Sequence, residues 1–295
     1  MTNLPEMDQI QGFMFENLPI RGVFVRLHAS FQVAISKRTY PPAAQQLLGN
    51  ALTVVSLLSN TIKSEGALAL QAQGEGPVSL LLGECTHDGH VRGLVHYKEP
   101  LDAGSLDSLF GNGTMALTLK SADKQHNYQG LVSLQGEDLS EAIEHYFSHS
   151  EQLPTRIYLA NDGMQACGLL LQTLPTSEMA QSRESWQHIT TLADTLSEDE
   201  LLNLSNREIL HRLFHEETIR LFESEPLSFR CSCSLQRMQQ VLVSLGKEEL
   251  LSILEEFGTV DTYCEFCNHH YLFDVVDIHK LLADPNGPSP GERKH

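Results

Sequence analysis

Basic side chains are scarce in this 295-residue chain: 20 lysines and arginines face 38 aspartates and glutamates, a formal charge of -18. Nucleic-acid binders need a cationic footprint on phosphate, and anionic membranes attract the same kind of surface, so neither partner is expected. Long apolar runs are missing too. The most apolar stretch, near residues 51–58, falls far short of the ~20 residues that span a bilayer. The opening MTNLPEMDQI has no basic start followed by an apolar core, so no secretory signal is expected, and the sequons at Asn112 and Asn203 read as chance matches. Catalytic signatures are equally thin. Gly74-Glu75-Gly76 lacks the third glycine of a dinucleotide loop, and there is no G-x-S-x-G elbow or H-E-x-x-H helix. Glu248-Glu249 and Glu255-Glu256 read as solvated helix faces. No enzyme is expected.

What is present is globular. Apolar residues make up 41% and charged residues 20%, and the length suits about two domains at roughly 150 residues each. Residues 1–175 alternate strand-like runs with a few helices. GVFVRL (22–27) reads as a strand, and Pro41-Pro42 opens a helix to about Lys63. Its apolar positions (Leu47, Leu48, Ala51, Leu52, Val55, Leu58, Ile62) cover more than one face, which predicts a buried helix. ALALQAQ (67–73) alternates as a half-buried strand does, and 78–83, 90–97, 114–120, 128–134, 156–160 and 168–174 fit further strands. Asp138 with Glu141 forms a capping box for a helix to about Phe147. With no βαβ repeat, the predicted class is α+β. It comprises an N-terminal layered α/β sandwich with mostly antiparallel strands (1–175), a helical linker (176–226) and a small cysteine-bearing domain (227–283). A loose tail follows (284–295).

The composition changes after Thr176. Of the 55 residues from 176 to 230, 16 are charged and 19 apolar, both in the direction of weaker folding. Helix signals persist nonetheless. Trp186, Ile189, Ala193 and Leu196 make a helical stripe, and Ser197/Glu200 and Ser205/Glu208 are capping boxes, the second ahead of Ile209, Leu210, Leu213 and Phe214. Such helices have too little core of their own and need a neighbour to lie on; an ordinary interdomain connector fits the pattern equally well.

Four of the six cysteines fall in two tight pairs, Cys231-Ser232-Cys233 and Cys264-Glu265-Phe266-Cys267, around two predicted helices. Tetrahedral zinc takes four thiolates at about 2.3 Å, and paired cysteines bracketing a mini-fold are its sequence form. Leu227, Phe229, Cys231 and Cys233 alternate as one strand would. His269 and His270 are read as surface residues, and Cys85 and Cys167 as small buried hydrophobes. Joining Cys231 to Cys233 would bend the backbone out of a four-ligand geometry, so oxidation and metal retention exclude one another. A structural zinc contributes an apparent ~10–16 kcal/mol, as much as a whole domain's net stability, and a fragment of this size is marginal without it. Metal loss should then unfold it and expose Trp186, Ile189, Ile209, Leu213, Phe214, Ile219 and Phe229, a surface for other unfolded chains.

These cysteine pairs, with Ser234 after the first and Tyr271-Leu272-Phe273 after the second, resemble the 33 kDa chaperonin (heat-shock protein 33) family. The likeness runs through Arg21-Gly22, Tyr40-Pro41, Leu47-Leu48-Gly49, Leu70-Gln71-Ala72-Gln73-Gly74, Arg92-Gly93, Tyr128-Gln129-Gly130 and Leu169-Leu170-Leu171-Gln172. Cys167-Gly168 departs from the family's usual glycine pair. The resemblance implies a redox-regulated, ATP-independent holdase of the bacterial cytoplasm, inactive while reduced and loaded with one Zn2+. Its ligands would be Cys231, Cys233, Cys264 and Cys267, and oxidation would give the disulfides Cys231–Cys233 and Cys264–Cys267 with release of zinc. The implied partners are unfolded clients, a second copy in an oxidised homodimer, and ATP-dependent foldases downstream. Two other readings of the cysteines stay open: a thiol–disulfide oxidoreductase using Cys264 and Cys267, and a zinc-ribbon adaptor with an inert metal.

Overall fold

The computed structural model describes residues 8–61, 66–121, 127–134, 136–175 and 179–283, and the chain divides into two compact units between Arg230 and Cys231. The first unit begins β1 (Gln9–Phe15), β2 (Ile20–Leu27), α1 (Ala29–Ser36), α2 (Pro42–Ser59) and β3 (Gly66–Gln73). It continues β4 (Val78–Thr86), β5 (His90–Tyr97), α3 (Leu106–Phe110), β6 (Thr114–Ser121), β7 (Tyr128–Ser133) and α4 (Leu139–His149). The strands β8 (Thr155–Asn161) and β9 (Ala166–Thr173) follow, then α5 (Met179–Ala193), α6 (Glu198–Asn203) and α7 (Asn206–Phe214). Short strands β10 (Ile219–Leu221), β11 (Glu225–Pro226) and β12 (Ser228–Phe229) close it. The second unit holds α8 (Leu235–Leu245), α9 (Lys247–Phe257), β13 (Val260–Tyr263), β14 (His270–Phe273) and α10 (Val275–Ala283).

Two six-stranded sheets make the first unit. One runs β10-β1-β2-β9-β8, with β11 also on β1; the other runs β12-β5-β4-β3-β6-β7. All these pairings are antiparallel except β12 on β5. The predicted α+β class with mostly antiparallel strands is what forms. Between the sheets lies α2, entered through Pro42, whose missing N–H costs nothing in a first turn. Residues 47–49 and 51–58 are all buried, as its all-round apolar pattern requires. Glycines let both sheets approach it. A Cβ on Gly93 would stand 2.8 Å from Leu48 Cδ1, and one on Gly168 would stand 2.5 Å from Thr53 Cγ2.

The first sheet is buried on both faces. On β2, Val23, Val25 and Leu27 join the core around α2, while Ile20 and Phe24 point the other way. On β9, Leu170 takes the first side and Cys167, Leu169 and Leu171 the second. That second side is the floor on which α5, α6 and α7 lie, through Ile189, Ala193, Leu201, Leu202, Ile209, Leu210, Leu213 and Phe214. Both capping boxes form, Ser197 with Glu200 and Ser205 with Glu208. Asp194, just after α5, accepts from Arg156 Nε and Nη2 at 3.1 and 3.0 Å and from the Tyr158 hydroxyl at 2.7 Å.

Several expectations shift. The helix opened at Pro41-Pro42 ends at Ser59, and Ile62 and Lys63 lie outside the described residues. The Asp138 cap forms, accepting from Glu141 N, but Glu141 Oε2 reaches Glu137 N instead of completing the box, and α4 runs on to His149. The alternating run through Cys233 is not one strand: only Ser228–Phe229 pair, and residues 230–234 are irregular. The alternation is real, but Cys231 and Cys233 both turn to the other cysteine pair, and no neighbouring strand offers them a ladder. No helix among the described residues is long and apolar enough to cross a membrane.

Candidate metal centre

Each cysteine pair is presented by a turn that the local sequence enforces. After Cys233, Ser234 caps α8 by accepting from Arg237 N, and Arg237 Nη1 reaches back to Ser232 O at 2.6 Å, fastening the Cys231–Cys233 turn to the helix start. The second pair occupies the tight connection between β13 and β14. Asn268 N donates to Cys264 O at 2.8 Å and Cys264 N to His269 O at 2.9 Å, with Asn268 in the left-handed region at φ 56°. The register Val260↔Phe273 through Tyr263↔His270 fixes this knuckle on a two-stranded ribbon.

The four sulfurs converge: all lie within 4.8 Å of one another, with Cys231 Sγ 3.5 Å from Cys264 Sγ and Cys233 Sγ 3.4 Å from Cys267 Sγ. A tetrahedron of bonds near 2.3 Å has edges of about 3.8 Å, so the cage matches a four-thiolate zinc site. The backbone N–H of Cys233 points at Cys231 sulfur and that of His269 at Cys267 sulfur, donors suited to thiolates. Cys264 is buried and the other three are half-buried. Burial pushes the Cys231 and Cys267 thiols up, the latter reinforced by its thiol neighbours. Burial also opposes ionisation of Cys233, but hydrogen bonds from Tyr271 and the other three thiols outweigh it and leave that thiol below its ordinary value. Were all four to ionise, thiolates at this spacing would require a cation among them.

The histidines stand outside the cage, as expected. His270 pairs with Asp261 and stacks on Tyr263 at 4.7 Å between centroids, while His269 meets Tyr271 edge-on. Cys85 and Cys167 are buried in the first unit, and burial raises both thiols, Cys167 to about 11. The apolar linker residues are also placed. Ile189, Ile209, Leu213 and Phe214 are buried on the floor of the first sheet, Trp186 and Ile219 pack against the same cluster, and Phe229 packs on the α2 core instead. Sequence reasoning missed the floor itself: Phe13, Phe15, Phe24, Leu169 and Leu171. Its signal was the unbroken apolar run of β9, the mark of a strand covered on both sides.

Fold and site together define a two-unit α+β protein whose small second unit is built around an all-cysteine cation cage. The family model described as Hsp33 protein matches residues 8–274. A 33 kDa chaperonin of Pseudomonas paraeruginosa (strain DSM 24068 / PA7) is 46% identical over 294 residues, covering 98% of this chain and 99% of the relative. One of Nitrosococcus oceani is 46% identical over 277 residues, 94% and 95% of the two chains. The crystal structure of the Thermotoga maritima 33 kDa chaperonin (heat shock protein 33 homolog) shares the fold at a TM-score of 0.80 and 21% identity, over 94% of this chain and 98% of that one. The chain belongs to the Hsp33 family.

Proposed function

We propose that this chain is an ATP-independent holdase, silent while its four cysteines are reduced and switched on by their oxidation. The observation that carries the reading is the convergence of Cys231, Cys233, Cys264 and Cys267 in a unit with little other core. Zn2+, when bound, would neutralise the thiolate charge and tie the two knuckles together. Peroxide oxidation of Cys231 with Cys233 and of Cys264 with Cys267 forms two S–S bonds. Each pair of thiolates gives two electrons to one H2O2, whose O–O bond breaks and whose oxygens leave as two waters with two protons drawn from solvent. The four donors are then gone. In the cage the sulfur contacts at 3.5 and 3.4 Å run between the pairs, so pairing within each knuckle follows from chain proximity once the unit opens, short loops costing least to close.

The second unit's core is too small to survive that loss, and its chain runs directly into β12 and the linker helices. Their release uncovers Phe13, Phe15, Phe24, Leu169 and Leu171 together with the linker's own apolar stripe, a surface for unfolded clients. The likeness to 33 kDa chaperonins of Pseudomonas and Nitrosococcus supports the chaperone part of this reading. We extend it to a bacterial cytoplasmic setting, an oxidised homodimer and transfer of clients to ATP-dependent foldases. The test measures zinc, free thiols and suppression of aggregation on the same samples, before and after peroxide at raised temperature. Loss of one zinc and four thiols should accompany onset of holdase activity. Metal held through oxidation would overturn the switch in favour of an inert adaptor, and robust insulin-disulfide turnover would favour an oxidoreductase.

A further inference from the structure

Among the described residues, one fully buried charged side chain sits in the apolar floor beneath the linker helices. Arg26, on β2, shares the face of Ile20 and Phe24 and is only 4% exposed. No carboxylate among the described residues meets it. Its Nε donates to Asn206 Oδ1 at 2.9 Å, Nη1 to Leu202 O at 3.4 Å and to Cys167 Sγ at 3.7 Å, and Nη2 to Leu204 O. Leu202 and Leu204 are the C-terminal end of α6, where carbonyls have no partner within the helix, so the guanidinium caps that end and is neutralised by its partial negative charge. Burial pulls Arg26 below its ordinary pKa, as expected for a cation matched only by carbonyls and a thiol. All but the Cys167 contact belong to the linker. When the linker leaves, the floor keeps its cation and loses every oxygen that matched it.

We propose that this floor is a polypeptide seat in which Arg26 selects the occupant: an amphipathic segment whose apolar face ends in carbonyl or carboxylate oxygens, as α6 does. This rests on the holdase reading above and adds to it the class of client segment preferred. A segment seated without such oxygens would bury an unpaired guanidinium, which is strongly disfavoured, so the group acts by rejection as much as by attraction. The sign is informative. A chain of charge -18 attracts basic peptides through its overall field, so a preference for acidic ends must come from a local cation.

The test uses the oxidised full chain and two fluorescent peptides with the same amphipathic helical sequence. One ends in Glu-Glu with a free carboxylate, the other in Lys-Lys-amide, and binding is read by anisotropy at 150 mM salt. The acidic-ended peptide should bind about tenfold tighter to the wild type. Arg26→Met should reverse the order, and Arg26→Lys, which keeps the charge but not the fork, should retain part of the preference. Equal binding of both peptides to an oxidised wild type that suppresses aggregation would overturn this proposal while leaving the holdase reading intact. So would an unchanged ratio in Arg26→Met. An oxidised wild type that neither binds peptide nor suppresses aggregation would overturn both. The wild-type preference decides the matter even where Arg26→Met fails to fold.

Discussion

The two units are stabilised by different things. In the first, the core around α2 comprises forty buried side chains among the described residues, and a second cluster of sixteen lies beneath the linker helices. In the second unit the cluster has nine among the described residues, one of them Cys264 of the thiol cage. Apolar burial at ~1.5–3 kcal/mol per large side chain can offset chain entropy in the first unit, whereas nine side chains cannot do so for a fragment with three helices and a ribbon. On the function proposed above, the second unit is completed by a cation, and anything that removes the thiolates would remove the unit. The proposed switch thus sets a part held by apolar burial against a part held by a metal-bound thiol cage.

The largest test of this contrast is Cys264→Ser. A lost thiolate should abolish tight zinc binding, with an apparent cost of up to ~10–16 kcal/mol, and unfold residues 231–283 without any oxidant. Amide resonances of the second unit should collapse to unfolded shifts while those of the α2 core persist. A zinc-free mutant that keeps a full set of dispersed C-terminal resonances would erase the distinction between the units.

The linker helices sharpen the comparison, because they rest on the first unit yet are expected to answer to the second. Ile209→Ser or Leu213→Ser removes a side chain that is 0% or 4% exposed and buries a hydroxyl in its place, a loss of about 3 kcal/mol. The peroxide threshold for holdase activity should fall, with zinc affinity unchanged. Trp186, the chain's one tryptophan, lies on α5 against the same cluster, so its emission should shift red at lower oxidant. An unchanged threshold would take these residues out of the gate.

A smaller effect separates the units by pH. On β4, Glu84 is 6% exposed and paired with Arg92 and Lys120 at 2.6 Å each. Burial alone would raise its carboxyl, but the pairs with Lys120 and Arg92 outweigh burial and hold it below the usual carboxylate range. A lowered folded-state pKa means that the stabilisation is complete above the unfolded value and is lost as pH falls through the folded one. Glu84→Gln should cost the first unit about 2 kcal/mol at pH 7 and flatten its acid unfolding below the carboxylate range, leaving zinc content at pH 7 untouched. An acid-unfolding profile identical to the wild type's would show that the ion pairs carry no proton-linked stability.

Much of this contrast is legible in the letters. Cysteine spacing names the cage, because four soft donors in two tight pairs have few other uses, and Ser197, Ser205 and Ser234 mark helix starts by local hydrogen bonding alone. What stayed hidden is what depends on long-range pairing. The strand β1 reads QIQGFMF, with no clean alternation, because its Phe13 and Phe15 serve the linker-covered face and Ile10 the α2 face. Cys231 and Cys233 alternate as a strand would, yet a second knuckle thirty residues on decides their geometry. Arg26 reads as one polar interruption in GVFVRL, and only the fold shows that α6 ends on it.

The finest cut falls within the linker. Ser205→Ala removes the side-chain oxygen that accepts from Glu208 N at 3.3 Å and breaks the reciprocal box in which Glu208 Oε2 accepts from Ser205 N at 2.8 Å. Such a cap contributes about 1 kcal/mol. It belongs to α7 alone, outside the α2 core and in the unit that does not carry the thiol cage, so neither the α2-core unfolding transition nor zinc affinity should move. The threshold should drop by a fraction of the shift given by Leu213→Ser, and the two effects should add, since a polar cap at the start of α7 and an apolar contact near its end share no partner. Additivity would mean that the gate is set by the summed stability of α7 on its floor. A capless variant with the full Leu213→Ser shift would instead place the gate in the α6–α7 junction, beside the carbonyls that meet Arg26.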